Sequence, residues 1–138
     1  MRVDELVPRE RWEARYDAIN AFERNLVNEG TVVVKLFLHI SQEAQAKRFR
    51  ERISDPTKNW KFSPDDLAKR AKWDEYMAAY RVAVERTSTA VAPWHIVPAD
   101  HKWVRNAVVT DIVTRTLDGL DLKWPELAPE IRGLVGPD

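Results

Sequence analysis

The 138-residue chain contains no cysteine. That excludes disulfides, thiolate metal sites and a thiol nucleophile, and leaves no argument for an oxidising compartment. Glycine is scarce, with four residues at 30, 119, 133 and 136. None of them stands in a dinucleotide fingerprint or in a phosphate loop ending in Gly-Lys-Ser/Thr. Net charge is missing too, because 22 Lys and Arg balance 22 Asp and Glu. The chain therefore has no global basic field to attract nucleic acid or an anionic membrane, and any charge-based function is local. The longest uncharged stretch, 87–99, is 13 residues with two prolines, too short to cross a bilayer. Asp4 and Glu5 stand where a signal peptide needs apolar residues. We expect a cytoplasmic protein with no membrane and no nucleic-acid partner.

What is present is enough for one packed domain: 44% of the residues are hydrophobic and six are tryptophan. Trp12, Tyr16, Ile19, Phe22 and Leu26 recur at helical spacing after Pro8 and before Gly30, which predicts a helix over about 8–28. The run 31–40, nearly all apolar apart from Lys35, reads as a strand covered on both faces. Ser41 is placed to cap a second helix ending near Asp55-Pro56, and Ser63-Pro64-Asp65-Asp66 opens a third that runs to about Arg86. Residues 93–98 form a second short strand, and Asp100 is suited to cap a last helix reaching about Leu120. Helices alternating with buried strands imply a parallel sheet in an α/β layer architecture. Two such strands make a poor sheet, so open edges and uncovered apolar faces are expected, with a tendency to aggregate or to seek a partner. Residues 126–138 read as a loosely packed tail.

Few residues offer chemistry. His39, His95 and His101 never fall at metal-ligand spacing, and read as strand-end or capping residues. No serine lies in a nucleophile elbow. The one local charge anomaly is 47–61, where Lys47, Arg48, Arg50, Arg52, Lys58 and Lys61 face only Glu51 and Asp55. This excess of four positive charges is a candidate anion site. Arg48 and Arg52, four apart, share a helix face from which two guanidinium forks can grip phosphate oxygens. An ordinary solvated face with scattered cations accounts for the same pattern. Trp60 and Phe62 can stack on a base, or pack as a hinge against the following helix.

The segments Leu38–Arg52, Asp55–Ser63 and Trp73–Tyr80, with Ile19–Glu23 before them and Thr87–Thr89, Ala92–Trp94 and Pro98–Lys102 after them, resemble the polyphosphate kinase type 2 family over residues 2–125. The resemblance implies a P-loop kinase fold, a three-layer α/β/α arrangement, and phosphoryl transfer between inorganic polyphosphate and a nucleotide with magnesium. Residues 42–75 resemble the family's helical lid. Arg48 and Arg52 match its Arg-Phe-x-x-Arg pattern, Lys58 and Lys61 its Pro-x-Lys-x-Trp-Lys pattern, and Lys47 lies beside them, so these five are the implied phosphate-binding cations. Asp100 and Lys102 match an Ala-Asp-x-Lys segment with an implied nucleotide-side role, although a helix cap explains Asp100 equally well. The family's phosphate loop and magnesium-placing acidic segment belong before Met1. The resemblance over 1–125 is therefore to the C-terminal portion of an enzyme, no metal ligand is identified, and the chain alone is expected to be inactive. An N-terminal fragment or a second copy is the implied partner. A non-catalytic polyphosphate-binding subunit that joins a full-length kinase is the alternative.

Overall fold

A computed structural model describes residues 2–128 and Ile131. Along the chain run α1 (Arg9–Asn28), β1 (Lys35–His39), α2 (Gln42–Ser54), a 3-10 turn (Asn59–Lys61), α3 (Pro64–Ala71), α4 (Trp73–Thr87), β2 (Trp94–Pro98) and α5 (Lys102–Asp118). The tail expected over 126–138 lies outside the described residues except for 126–128 and Ile131.

Local signals set most boundaries. Gly30 ends α1 at φ 84°. Thr31 N–H returns to the Leu26 carbonyl (2.9 Å) and Gly30 N–H to the Val27 carbonyl (3.0 Å), which satisfies two carbonyls that the helix end leaves open. Ser41 caps α2 by accepting Ala44 N–H at 3.0 Å. Ser63 and Asp66 form a reciprocal capping box at the start of α3, with Pro64 in its first turn.

Three expectations are corrected. The strand over 31–40 is only Lys35–His39, because β2 offers five partners and no more, from Lys35↔Trp94 to His39↔Pro98. The long helix from Pro64 to Arg86 is two helices, since the backbone leaves helical geometry at Lys72 (φ −94°, ψ 27°). There the Lys72 ammonium reaches Asp4 at 3.2 Å, so a contact from the distant N-terminal segment accompanies the break. Asp100 does not cap α5. His101 occupies that position without a side-chain bond, while Asp100 Oδ1 accepts Ser41 N–H at 2.7 Å.

The two parallel strands lie between helices. Tyr80 of α4 packs on Phe37 of β1 with ring centroids 5.3 Å apart, and α1 joins α4 through Asn20, whose amide donates to the Arg86 carbonyl at 3.0 Å. Helix α5 packs against β2. Lys35, the only charge in β1, is 8% exposed. Its Nζ donates to Glu23 Oε2 at 2.6 Å and to the Thr87 carbonyl at 2.5 Å, which ties β1 to α1 and to the end of α4. A buried cation without such partners would cost several kcal/mol.

Packing ends abruptly. The hydrophobic residues buried to the level of a core are Tyr16, Ala92, Val97 and Ala99, while Phe22, Leu38, Ile96 and Trp103 stand 48–74% exposed. The chain exposes 10,845 Å², whereas a compact monomer of its mass exposes about 7,400 Å². The expected uncovered faces are therefore present.

Candidate phosphate-binding lid

The cationic segment folds into a hairpin that leaves the sheet after β1 and returns at α4. Helix α2 goes out, the turn 55–62 reverses the chain, and α3 comes back. Phe62 sets its ring against Phe49 of α2 at 5.6 Å, edge to face. Arg70 of α3 donates to the Gln42 carbonyl (2.7 Å) and to Gln45 Oε1 (2.8 Å), which closes the hairpin at its base. Phe62 thus packs on the preceding helix α2, not on the following one as expected, whereas Trp60 is 75% exposed and donates its indole N–H to the Thr57 carbonyl at 3.0 Å.

The root of the hairpin sits at the C-terminal ends of both strands, where open α/β sheets place their ligand crevices. Ser41 N–H donates to Asp100, and the Arg48 guanidinium donates to the Ala99 carbonyl and lies 3.4 Å from that of Asp100. The bonds from Ser41 hold the Asp100 carboxyl below the usual carboxylate range. On the returning side, Asp4 accepts from the Tyr76 hydroxyl at 2.5 Å and from Lys72. The Tyr76 bond is the main cause of a lowered Asp4 pKa, and the same bond pushes Tyr76 up to about 12.

The five cations implied as phosphate ligands separate into two groups. Arg48 and Lys58 are engaged by the protein. Lys58 Nζ pairs with Asp55 Oδ2 at 2.5 Å, and Asp55 also accepts from the Thr57 N–H and hydroxyl. Lys58 and Thr57 together bring Asp55 down to about 2. Lys47 and Lys61 are exposed and Arg52 is half-buried. The Arg52 guanidinium lies 6.0 Å from the Phe49 ring centre, and Lys61 Nζ lies 5.0 Å from that of Trp60. Lys102 opens α5 and is exposed.

None of these five lines a cleft of about 600 Å³ between β1, α2, α3 and α4, whose walls include His39, Phe49, Asp66, Arg70, Trp73 and Tyr76. Arg70 and Asp4, which organise the hairpin's base, had no distinguishing signal in the sequence beyond their charge. Among the described residues no group of three or more His, Asp or Glu side chains is placed to hold a metal ion.

Comparison with known proteins gives this geometry a context. The family model Polyphosphate kinase 2 (PPK2) matches residues 1–124. An AMP/ADP-polyphosphate phosphotransferase from Meiothermus ruber is 46% identical over 126 residues, 91% of this chain but 47% of that protein. A shorter protein of Leptolyngbya boryana, described as uncharacterized in the chlN 3' region, is 49% identical over 88% of both chains. The crystal structure of Polyphosphate Kinase 2 from Arthrobacter aurescens TC1 superposes with a TM-score of 0.89 at 46% identity, covering 96% of this chain and 48% of that one. The fold is thus a part of a P-loop-kinase-like α/β/α domain, and the chain spans about half the length of the named phosphotransferase it matches. With a family match over nearly its whole length and a superposition this close, the chain belongs to the polyphosphate kinase 2 family.

Proposed function

We propose that this chain is the lid-bearing portion of a polyphosphate:nucleotide phosphotransferase, a cytoplasmic kinase acting between inorganic polyphosphate and a nucleoside mono- or diphosphate such as AMP, ADP or GDP. The observation that carries the reading is the hairpin α2–α3, a helical pair with an excess of cations rooted where two parallel strands end. The AMP/ADP activity named for the Meiothermus ruber relative supports the acceptor class.

In phosphoryl transfer through a loose transition state, charge spreads over the equatorial oxygens, and positioned cations together with exclusion of water stabilise it. Lys47, Arg52 and Lys61 supply that charge in this reading, since their head groups have no ion-pair partner among the described residues. Arg48 and Lys58 act through others. Arg48 holds the root of α2 against β2, and Lys58 holds the turn that carries Lys61. Asp100 fixes the start of α2 through Ser41, and Lys102 faces the nucleotide side. Magnesium is supplied and held by the rest of the catalytic unit, as are the groups that grip the phosphoryl donor from beneath.

Titration of the chain with inorganic polyphosphate at several salt concentrations tests this. Binding should weaken as salt rises. Lys47→Ala, Arg52→Ala and Lys61→Ala should each reduce affinity about three- to tenfold, in the range of about 0.7–1.4 kcal/mol, and flatten the salt dependence. Salt-insensitive binding, or no shift in melting temperature with saturating polyphosphate, would overturn the reading. Binding without transfer, even when the rest of the catalytic unit is supplied, would favour a regulatory polyphosphate-binding subunit.

A further inference from the structure

Helix α5 has two sides of different character. Val104, Arg105, Val108, Val109, Ile112 and Thr116 are half-buried. At 3.6 residues per turn they gather on one side, where the helix packs against β2. The opposite side carries Trp103, Ala107, Thr110, Thr114 and Leu117, all exposed and none charged. These five follow one another at steps of four, three, four and three, which is the spacing of a helix–helix seam over two heptads. Trp103 is 74% exposed and Leu117 49%, whereas the outward side of a surface helix is ordinarily polar. Asp111, beside the middle of the seam, is paired within the helix, accepting from Arg115 Nε at 2.9 Å. Helices cover a sheet in a single layer, so any further helix on this sheet would lie alongside α5 and leave its outward side bare.

We infer that this outward seam is a self-association surface, and that its occupant is α5 of a second copy of the chain, antiparallel about a two-fold axis at Thr110. The side chains select that arrangement. Trp103 stands seven residues before Thr110 and Leu117 seven after, while Ala107 stands three before and Thr114 four after. Turned end for end, Trp103 of each copy lies over Leu117 of the other, so both ends of the seam hold one large and one medium side chain. The small residues Ala107, Thr110 and Thr114 between them let the helices approach to about 8–10 Å. A parallel pair would stack two tryptophans at one end and two leucines at the other, and the unequal ends would splay the helices. The two-fold contact uses the same patch on both copies and therefore closes as a dimer. Its size sets its strength. Two tryptophans exposed to this degree offer about 220–370 Å² between them. With the rest of the seam the pair covers roughly 1,000 Å², the low end for a specific interface, so a weak dimer with a dissociation constant of roughly 10–100 μM is expected. The inference does not rest on the phosphotransferase reading.

The lack of any native cysteine makes the geometry directly testable. Thr110→Cys, Ala107→Cys and Thr114→Cys are each oxidised, and disulfide-linked dimers are read on a non-reducing gel. In the antiparallel pair position 110 meets its own copy, whereas 107 and 114 stand about 9 and 12 Å from theirs along the axis, beyond the Cα separation of about 7 Å that a disulfide spans. Thr110→Cys should therefore cross-link by itself, and Ala107→Cys and Thr114→Cys only when mixed with each other. Sedimentation velocity of the cysteine-free chain should show a monomer–dimer equilibrium. Thr110→Glu, which sets two carboxylates face to face, should weaken it at least about tenfold without lowering the melting temperature of the dilute chain. Self-linking at all three positions would mean a parallel or random contact. A chain that stays monomeric up to about 300 μM, well above the expected dissociation constant, or a dimer indifferent to Thr110→Glu, would leave the seam to a different partner. Each of these results overturns the inference. No measurement involves polyphosphate, so the self-association can fail while the phosphotransferase reading stands, and the converse holds.

Discussion

Arg48 is the residue on which the resemblance and the geometry diverge most sharply. Its place in the Arg-Phe-x-x-Arg pattern implies a phosphate ligand, yet its guanidinium donates to the Ala99 carbonyl and approaches that of Asp100. Ala99 is 2% exposed, so removing the donor leaves a buried acceptor unpaired. A hydrogen bond from a charged donor contributes about 1.5–3 kcal/mol, and an unsatisfied buried acceptor costs about 1–3 kcal/mol. The two overlap, and a net loss of about 2–3 kcal/mol is expected for Arg48→Met, which keeps the aliphatic stem. For a chain of this size that lowers the melting temperature by roughly 6–15 °C. Arg52→Met, one turn further along α2, removes only a guanidinium over the Phe49 ring, and should cost no more than about 1 kcal/mol. Urea unfolding followed by tryptophan fluorescence measures both, and a polyphosphate titration of the same proteins separates anchoring from binding. Arg48→Met should lower stability first and affinity as a consequence, whereas Arg52→Met should lower affinity with little change in stability. If Arg48→Met unfolds within about 0.5 kcal/mol of the parent while its polyphosphate affinity drops tenfold, the anchoring role is refuted and the side chain serves phosphate directly.

Two further outcomes are expected. Lys35→Met strands Glu23 in a site where it is 9% exposed and leaves the Thr87 carbonyl without its ammonium donor; it should cost about 3–5 kcal/mol. The double variant with Glu23→Leu should recover part of that loss in the same urea assay, and strict additivity of the two changes would contradict the pairing. Asp4, Asp55 and Asp100 all have lowered pKa values in the folded chain. They therefore bind fewer protons there than when unfolded, and their contribution is complete above the ordinary carboxylate pKa of about 4 and is lost as pH falls toward about 2. Melting temperatures recorded from about pH 5 down to about pH 2.5 should fall, and fall less in Asp100→Asn; a flat profile would count against the assigned bonds.

Local devices were legible because their partners lie within a few residues. Gly30 as the stop of α1, Ser41 as the cap of α2 and the Ser63/Asp66 box each need only three or four neighbours. Features that depend on distant partners were not. Lys35 looked like an interruption in an apolar strand, and Glu23, on which its burial depends, lies twelve residues earlier on α1 with nothing to mark it. Asp100 has the residue type and position of a helix cap, but its carboxylate serves Ser41, 59 residues earlier. The break between α3 and α4 shows in the sequence only as the six-residue step from Leu67 to Trp73, and the contact beside it comes from distant Asp4. The excess of cations was legible as charge. That the protein itself engages Arg48 was not, because its carbonyl partners lie 51 and 52 residues further along the chain.

The lid's contacts are concentrated at its base, and this bears on how it works. Asp100 and Ser41 fasten the outgoing helix, Asp4 with Lys72 and Tyr76 fastens the returning one, and Arg70 ties the two together through Gln42 and Gln45. Beyond Phe49 and Phe62 the tip has few such supports; Ile53 and Trp60 are 56% and 75% exposed. In a helical pair clamped at its base and lightly packed at its tip, opening the tip breaks few contacts, whereas shifting the root would break a part-buried network. Arg48, near the base, is spent on backbone carbonyls, and Lys58, at the tip, on Asp55, whereas Lys47, Arg52 and Lys61 have no ion-pair partner among the described residues. In the function proposed above, those unpaired cations are what would make the helix pair a cover for a polyanion in a chain with no net charge.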